Sequence, residues 1–185
     1  MNKLIILSVA LLLLNCKPPE ARRPILVKTG SFINASIERN KKLNAKEQAA
    51  IKKLMTTNNI KYISSQSGFW YYYNTKIDND SLKTAKFGDR INYNYNVKTL
   101  NGDLIYSTSD IKTQNYIMDK EELFTGLREG LKLIKTGETV TFLFPSLKAY
   151  GYYGDNNKIT NNTPLICKVT VNAITKNNPT KNDSI

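Results

Sequence analysis

The sequence predicts an α+β fold in which a meandering antiparallel sheet carries one short helix across its concave face. Residues 91–97 alternate between apolar side chains and asparagines, which is the period of a strand with one buried face. Asn101-Gly102 then supplies a tight turn, because both residue types tolerate positive φ, and residues 104–106 return as the partner strand. Apolar residues at helical spacing follow, and two more alternating stretches complete the sheet.

The helix is predicted from four apolar residues that share one face at i, i+3, i+7 and i+10, and Gly137 ends it. These residues are Phe124, Leu127, Leu131 and Ile134. The next strand is predicted from Val140, Phe142 and Phe144, and the last from Leu165, Cys167, Val169 and Val171. Each set would line one face of the sheet.

Upstream of the sheet, Asn44 followed three residues later by Glu47 is typical of a helix start, and the apolar spacing after it predicts an amphipathic helix over about 45–57. Phe32, Ile33, Ile37 and Leu43 are consistent with an earlier helix that docks nearby. Residues 68–73 contain the single Trp among several tyrosines and predict a strand. Such aromatic rings stack bases, bind peptide or pack in a sheet, and packing is the expected role here.

Composition excludes most catalytic chemistry. The 185 residues contain no His and two Cys, so neither a Ser-His-Asp triad nor a His- or Cys-based metal centre can form. We therefore expect no metal and no cofactor. The net charge is +12, but the lysines are spread along the chain, which indicates a solvated basic surface and no nucleic-acid partner.

The first sixteen residues predict the compartment. A positive start precedes an apolar run over 4–14 that is too short to span a bilayer comfortably, and Leu13-Leu14-Asn15-Cys16 follows. This resembles a bacterial lipobox, although Asn15 stands where the residue is usually small. The resemblance implies a signal peptide over 1–15, lipid on Cys16, and attachment to the cell envelope, with the outer membrane facing the periplasm as the expected site. An uncleaved anchor or an ordinary secretory signal remains the alternative.

The rest of the chain divides by composition. A proline-containing charged tether is predicted over 16–30, a helical and aromatic extension over 31–80, and the sheet domain over 81–176. A polar tail over 177–185 is expected to be disordered.

Residues 86–174 resemble an FKBP-type peptidyl-prolyl isomerase domain. The resemblance rests on an ordered series, which is Gly88, Asn101-Gly102, Gly126-Leu127 with Gly130, Gly137, Pro145, Ala149-Tyr150-Gly151, Ile159 and Leu165. With the signal peptide, the extension and the aromatic run, the whole chain resembles the gliding-motility-associated FKBP-type lipoproteins of Bacteroidetes. This implies an FKBP-like curved antiparallel sheet wrapped around one short helix and preceded by a helical extension. The implied partners are proline-containing exported polypeptides and the gliding or secretion machinery.

The resemblance also assigns site residues. It implies that Tyr150, Phe124 and Tyr95 are catalytic and that six residues bind substrate, namely Ile105, Tyr106, Leu123, Leu127, Ile159 and Cys167. From the residues alone, an ordinary core is the favoured role of Phe124, Leu127, Ile159 and Cys167.

Four positions depart from the family pattern. Leu127 stands where Trp is usual, Ile105 and Cys167 replace Phe, and Tyr106 replaces Asp. They predict a shallower or wider pocket with no acidic group. Three functions stay open. They are an active isomerase for exported envelope or motility proteins, a non-catalytic FKBP-like chaperone or docking module, and a structural subunit of a surface machine with residues 31–80 as its interaction arm.

Overall fold

The structure, a computed structural model, describes residues 29–177. The chain divides into two compact units, the first ending at Glu38 and the second beginning at Arg39. The described part of the first unit is the start of helix α1, Thr29–Thr57. In this part of α1, the side chains of Phe32, Ile33 and Ile37 are exposed.

Helix α1 begins earlier than the sequence predicts. Asn44 and Glu47 lie in its interior and do not form its start. The reason is that residues 29–57 contain no Pro and only one Gly, so nothing in the chain interrupts the helix there. Glu47 is instead buried, and its carboxylate accepts hydrogen bonds from the Ser146 N–H at 2.8 Å and the Ser146 hydroxyl at 2.6 Å.

In the described part of the chain, seven antiparallel strands form one sheet. Their bounds are β1 Ile63–Ser64, β2 Trp70–Thr75, β3 Arg90–Thr99, β4 Leu104–Tyr106, β5 Gln114–Ile117, β6 Thr139–Phe144 and β7 Leu165–Thr175. The order is β1-β2-β6-β7-β3-β4, and β5 also pairs with β3. Strand β3 therefore pairs with β7 along one edge and with β5 and β4 in succession along the other.

The alternation in β3 is confirmed, because Ile91, Tyr93 and Val97 are buried. The turn after it is confirmed too, with Gly102 at φ 94°. Strand β6 does not alternate, since Leu143, which points away from its neighbours Phe142 and Phe144, is fully buried as well. Ile51 of α1 is also fully buried. The bonds from Ser146 to Glu47 connect the C-terminal half of α1 to the segment that follows β6.

Within residues 29–177, three short helices complete the fold, which are α2 Thr108–Ile111, α3 Thr125–Leu131 and a 3₁₀ helix Ser146–Lys148. Helix α3 packs closely on the inner face of the sheet. A Cβ at Gly126 would lie 2.6 Å from the Phe144 ring, and one at Gly130 would lie 3.0 Å from the Phe142 ring. The glycines therefore set the distance between helix and sheet.

Helix α3 is also shorter than the predicted span to Ile134. The Leu133 N–H bonds to the Gly130 carbonyl at 3.0 Å and the Ile134 N–H to the Leu131 carbonyl at 3.4 Å, which are contacts of a tightening last turn. Gly137 then has φ 86° in the turn that leads into β6.

The aromatic run belongs to the same sheet, because β2 pairs with β6. The Phe69 ring lies 5.7 Å from that of Phe142 and 5.3 Å from that of Phe144, and the side chain is 1% exposed. Packing is thus the role of this residue. The boundary predicted at residue 81 is not a boundary of the sheet, which continues across it into the predicted extension.

The predicted signal peptide, Cys16, most of the tether and nearly all of the tail lie outside the described residues. Among residues 29–177, no helix is both long and apolar enough to cross a bilayer.

Candidate functional site

The structure brings all nine predicted site residues into one hydrophobic cluster. Three of them are buried in it, namely Leu127, Ile159 and Cys167. The other six are partly buried and pack against it, namely Tyr95, Ile105, Tyr106, Leu123, Phe124 and Tyr150. They come from β3, β4, the start of α3, the loop after the 3₁₀ helix, and β7, so the fold and not the local sequence assembles them.

An open hollow of about 590 Å³ lies beside this cluster. Its lining residues are Glu121, Glu122, Leu123, Phe124, Arg128 and Tyr150. Three of them, Glu121, Glu122 and Arg128, were missed by sequence reasoning. The two glutamates could have been found, since they directly precede Leu123.

Two aromatic rings give the hollow a fixed apolar wall. The Phe124 and Tyr150 rings lie 5.1 Å apart, centroid to centroid. Phe124 also meets the Phe144 ring edge-on at 5.5 Å and an interplanar angle of 83°. Such edge-to-face contacts hold a ring in a defined orientation. Tyr95 is stacked on Tyr93 at 5.6 Å within the same cluster.

Leu127, Ile159 and Cys167 lie beneath the surface, with exposed fractions of 0%, 3% and 0%. They can touch a ligand only if the side chains above them move. Leu127 is not among the residues that line the open hollow.

Two hydrogen-bond donors at the hollow are unused. Phe124 is the residue before the first turn of α3, with φ −60° and ψ 140°. Within residues 29–177, neither its backbone N–H nor the Tyr150 hydroxyl has a hydrogen-bond partner. Because the first N–H groups of a helix have no partner inside it, they are available to an external carbonyl.

Burial raises the pKa of Tyr150 to about 12, and the nearby Cys167 and Asp155 act in the same direction. Burial likewise raises the pKa of Tyr95, and Tyr150 and Tyr93 add to the effect. Both hydroxyls therefore stay protonated at neutral pH and can donate. In the described part of the chain, no three His, Cys, Asp or Glu side chains converge where they could bind a metal.

Comparison with known proteins identifies the domain. The model of the family described as FKBP-type peptidyl-prolyl cis-trans isomerase matches residues 82–172. This chain carries an FKBP-type domain.

Relatives and solved structures agree with this assignment. The chain is 30% identical over 88 residues to the peptidyl-prolyl cis-trans isomerase FKBP9 of Homo sapiens, and equally to that of Mus musculus. Those residues are 47% of this chain but 15% of each relative, so the chain corresponds to a small part of the relatives' length.

Two solved structures have the same fold at 20% identity. FkpA from Escherichia coli gives a TM-score of 0.58 over 95% of this chain and 82% of its own. A peptidyl-prolyl cis-trans isomerase from Pseudomonas syringae pv. tomato gives 0.54 over 74% of this chain and 96% of its own. The α+β, FKBP-like fold prediction is thereby confirmed.

The prediction that the pocket of this FKBP-type domain has no acidic group is wrong, because Glu121 and Glu122 line the hollow. The Tyr106 hydroxyl donates a hydrogen bond to the Asp155 carboxylate at 2.5 Å. Burial alone would raise the pKa of Asp155, but the bonds from Tyr106, Asn157 and Ile159 outweigh it and lower that pKa. No local pattern could reveal this pair, because the two residues are 49 positions apart.

Cys167 is expected to be an inert core thiol of the FKBP-type domain. It is fully buried, and burial raises its pKa, so the reactive thiolate is scarce. In a Cys16→Ser variant, Cys167 should react with a disulfide reagent about 100-fold or more slowly in native buffer than in denaturant. Absorbance of the released thiolate measures both rates, and equal rates would contradict the burial.

Proposed function

We propose that the protein is a peptidyl-prolyl cis-trans isomerase that acts on proline-containing segments of exported polypeptides. The observation that carries this proposal is the pairing of two unused donors, the Phe124 N–H and the Tyr150 hydroxyl, with an apolar wall at one hollow. Membership of residues 82–172 in the FKBP-type family supports it.

The reaction needs a weakened amide resonance. Rotation about an X-Pro bond has a barrier of about 18–20 kcal/mol, because the planar amide has partial double-bond character. Water stabilises the planar, more dipolar form. A hollow walled by Leu123, Phe124 and Tyr150 removes water from that form and so lowers the barrier relative to solution.

The two donors would then select one twisted geometry. The Phe124 N–H binds one substrate carbonyl and the Tyr150 hydroxyl another. Donors that are fixed before the substrate arrives need no reorganisation as the bond twists. Phe124 is fixed by the helix start and by its edge contact with Phe144, and Tyr150 by its contact with Phe124.

Replacing Tyr150 by Phe tests the assignment. The variant keeps the ring against Phe124 and loses only the hydroxyl. Since one hydrogen bond is worth about 0.5–1.5 kcal/mol, kcat/KM for a proline tetrapeptide should fall about threefold to tenfold. A protease-coupled isomerisation assay measures it.

The matched control is Tyr152→Phe, two residues further on, where the side chain is 68% exposed and does not line the hollow. It should retain the wild-type rate. Equal rates for Tyr150→Phe and wild type would remove Tyr150 from the site. A wild-type protein that does not accelerate isomerisation at all would overturn the proposed activity.

We further propose that the protein acts in the cell envelope, anchored by lipid on Cys16 to the outer membrane facing the periplasm. The lipobox-like residues 13–16 and the short apolar run before them support this. Clients would be envelope or motility proteins, as in the gliding-motility-associated lipoproteins that the chain resembles. Cys16→Ser should abolish labelling by a fatty-acid analogue and release the protein from the membrane fraction; unchanged labelling would contradict the anchor.

The alternative is an FKBP-like chaperone or docking module without turnover. The observation that favours it is the complete burial of Leu127 and Cys167. Neither side chain offers an exposed apolar surface to a prolyl ring. In that case the protein would bind the tetrapeptide but not accelerate its isomerisation.

A further inference from the structure

The loop between the 3₁₀ helix and β7 carries two predicted site residues, Tyr150 at its beginning and Ile159 in its second half. Its base is closed by two backbone hydrogen bonds. The Asn162 N–H bonds to the Gly151 carbonyl at 2.7 Å, and the Gly151 N–H bonds to the Ser146 carbonyl at 2.9 Å. These bonds do not reach the middle of the loop.

The middle is organised around Asp155. Its carboxylate accepts the N–H of Asn157 at 2.9 Å and the N–H of Ile159 at 2.8 Å. Its own N–H donates to the Ile159 carbonyl at 3.1 Å. Asp155 therefore fixes the position of Ile159 through hydrogen bonds to both the N–H and the carbonyl of that residue.

One side chain outside the loop, Tyr106 at the end of β4, binds this centre. Its hydroxyl donates to Asp155 at 2.5 Å and accepts the Lys158 N–H at 3.3 Å. The Lys158 ammonium lies 5.0 Å from the centre of the Tyr106 ring. By contrast, Tyr152 and Tyr153 of the loop are 68% and 83% exposed and add little packing.

We propose that Tyr106 and Asp155 form a positioning pair that holds the loop in place, so that Tyr150 and Ile159 are already ordered when a prolyl segment binds. This inference rests on the proposed function, because it assumes that substrate occupies the hollow. A hydrogen bond to a carboxylate is stronger than one between neutral groups, and both groups of this pair are partly buried.

The Tyr106–Asp155 pair should increase the affinity for substrate. If the loop is ordered beforehand, the substrate does not have to order it, and affinity is higher. Loss of the pair should therefore raise KM, or the Kd of a non-reacting proline peptide, by about fivefold to tenfold while kcat changes less than about twofold. A residue that only stabilised the fold would change the melting temperature without this split.

Tyr106→Phe is the main variant, because it removes one hydroxyl and keeps the ring under Lys158. Asp155→Ala and the double variant complete a cycle. If the two residues act as a unit, the double variant should be no worse than Asp155→Ala alone. Effects on kcat/KM that multiply would overturn the pair, as would a Tyr106→Phe KM within about twofold of wild type.

The matched control is Tyr73→Phe. Tyr73 also has a partly buried hydroxyl, which donates to the Leu133 carbonyl at 3.0 Å, but it does not contact the loop. It should lose stability and keep its KM. A direct readout of the pair is the Asp155 pKa by NMR titration, which should rise in Tyr106→Phe; an unchanged pKa would count against it.

The same experiments distinguish a failure of the positioning pair from a failure of the proposed function. If the wild-type protein binds the peptide without isomerising it, the proposed function fails, and the Kd series still tests the pair. If the protein isomerises the peptide and Tyr106→Phe behaves as wild type, the pair fails and the proposed function stands.

Discussion

Replacing Glu47 by Ala is expected to lower the free energy of unfolding by about 2–4 kcal/mol. The Glu47 carboxylate is 5% exposed and accepts both hydrogen bonds of Ser146, which is itself fully buried. Without the acceptor, two buried donors lose their partner, and each such loss costs about 1–3 kcal/mol. The relief from burying a charge offsets part of this total.

Urea unfolding followed by the fluorescence of Trp70, the single Trp, measures the change. Gln48→Ala is the matched control, since Gln48 is the exposed neighbour on the same helix and should change stability by less than about 0.5 kcal/mol. Glu47→Gln keeps one acceptor oxygen, so its free energy of unfolding should lie between those of Glu47→Ala and Gln48→Ala. A Glu47→Ala variant as stable as the Gln48→Ala control would mean that α1 is not bound through this contact.

Replacing Gly126 by Ala should have an effect of similar or greater size, a loss of about 3 kcal/mol or more. Its Cβ would lie 2.6 Å from the Lys148 carbonyl oxygen and 2.6 Å from the Phe144 ring. Ala is the better helix former by about 1 kcal/mol, so propensity alone predicts stabilisation. The contact with backbone outweighs that gain, because a carbonyl oxygen cannot rotate away as a side chain can.

The variant should also lose catalysis. The clash pushes α3 away from Lys148, and this separates Phe124 at the start of α3 from Tyr150, two residues after Lys148. Gly102→Ala is the control. Gly102 has φ 94° but nothing within 4 Å of the added Cβ, so only backbone strain of about 1–2 kcal/mol is expected. Unfolding measurements on both variants separate the clash from the strain, and a Gly126→Ala variant at least as stable as wild type would contradict the packing of α3.

The parts of the fold that local sequence encodes were predicted well. The β3–β4 hairpin has a period of two and an Asn-Gly turn, and both features act within ten residues. The start of α1 was predicted wrongly, because residues 29–57 contain no Pro and only one Gly to interrupt the helix. Asn44 and Glu47 match a capping pattern, but the Glu47 carboxylate binds Ser146, which is 99 positions away. No local pattern in the sequence indicates that hydrogen bond.

The candidate site shows the same limit. Helical spacing placed Phe124 and Leu127 on one face, but it could not tell which would be open to solvent. The structure exposes Phe124 in part, because it precedes the helix, and buries Leu127 against the sheet. The Tyr106–Asp155 contact joins the end of strand β4 to a distant loop, so it follows only from tertiary structure.

The most direct test of the central claim is an NMR titration of the protein with a short proline peptide, in which the amide shifts and the peptide's cis–trans exchange are measured in one sample. We expect accelerated exchange and a large shift of the Phe124 amide, because its N–H gains a carbonyl partner. Unaccelerated exchange, or shifts confined to residues away from the hollow, would contradict it.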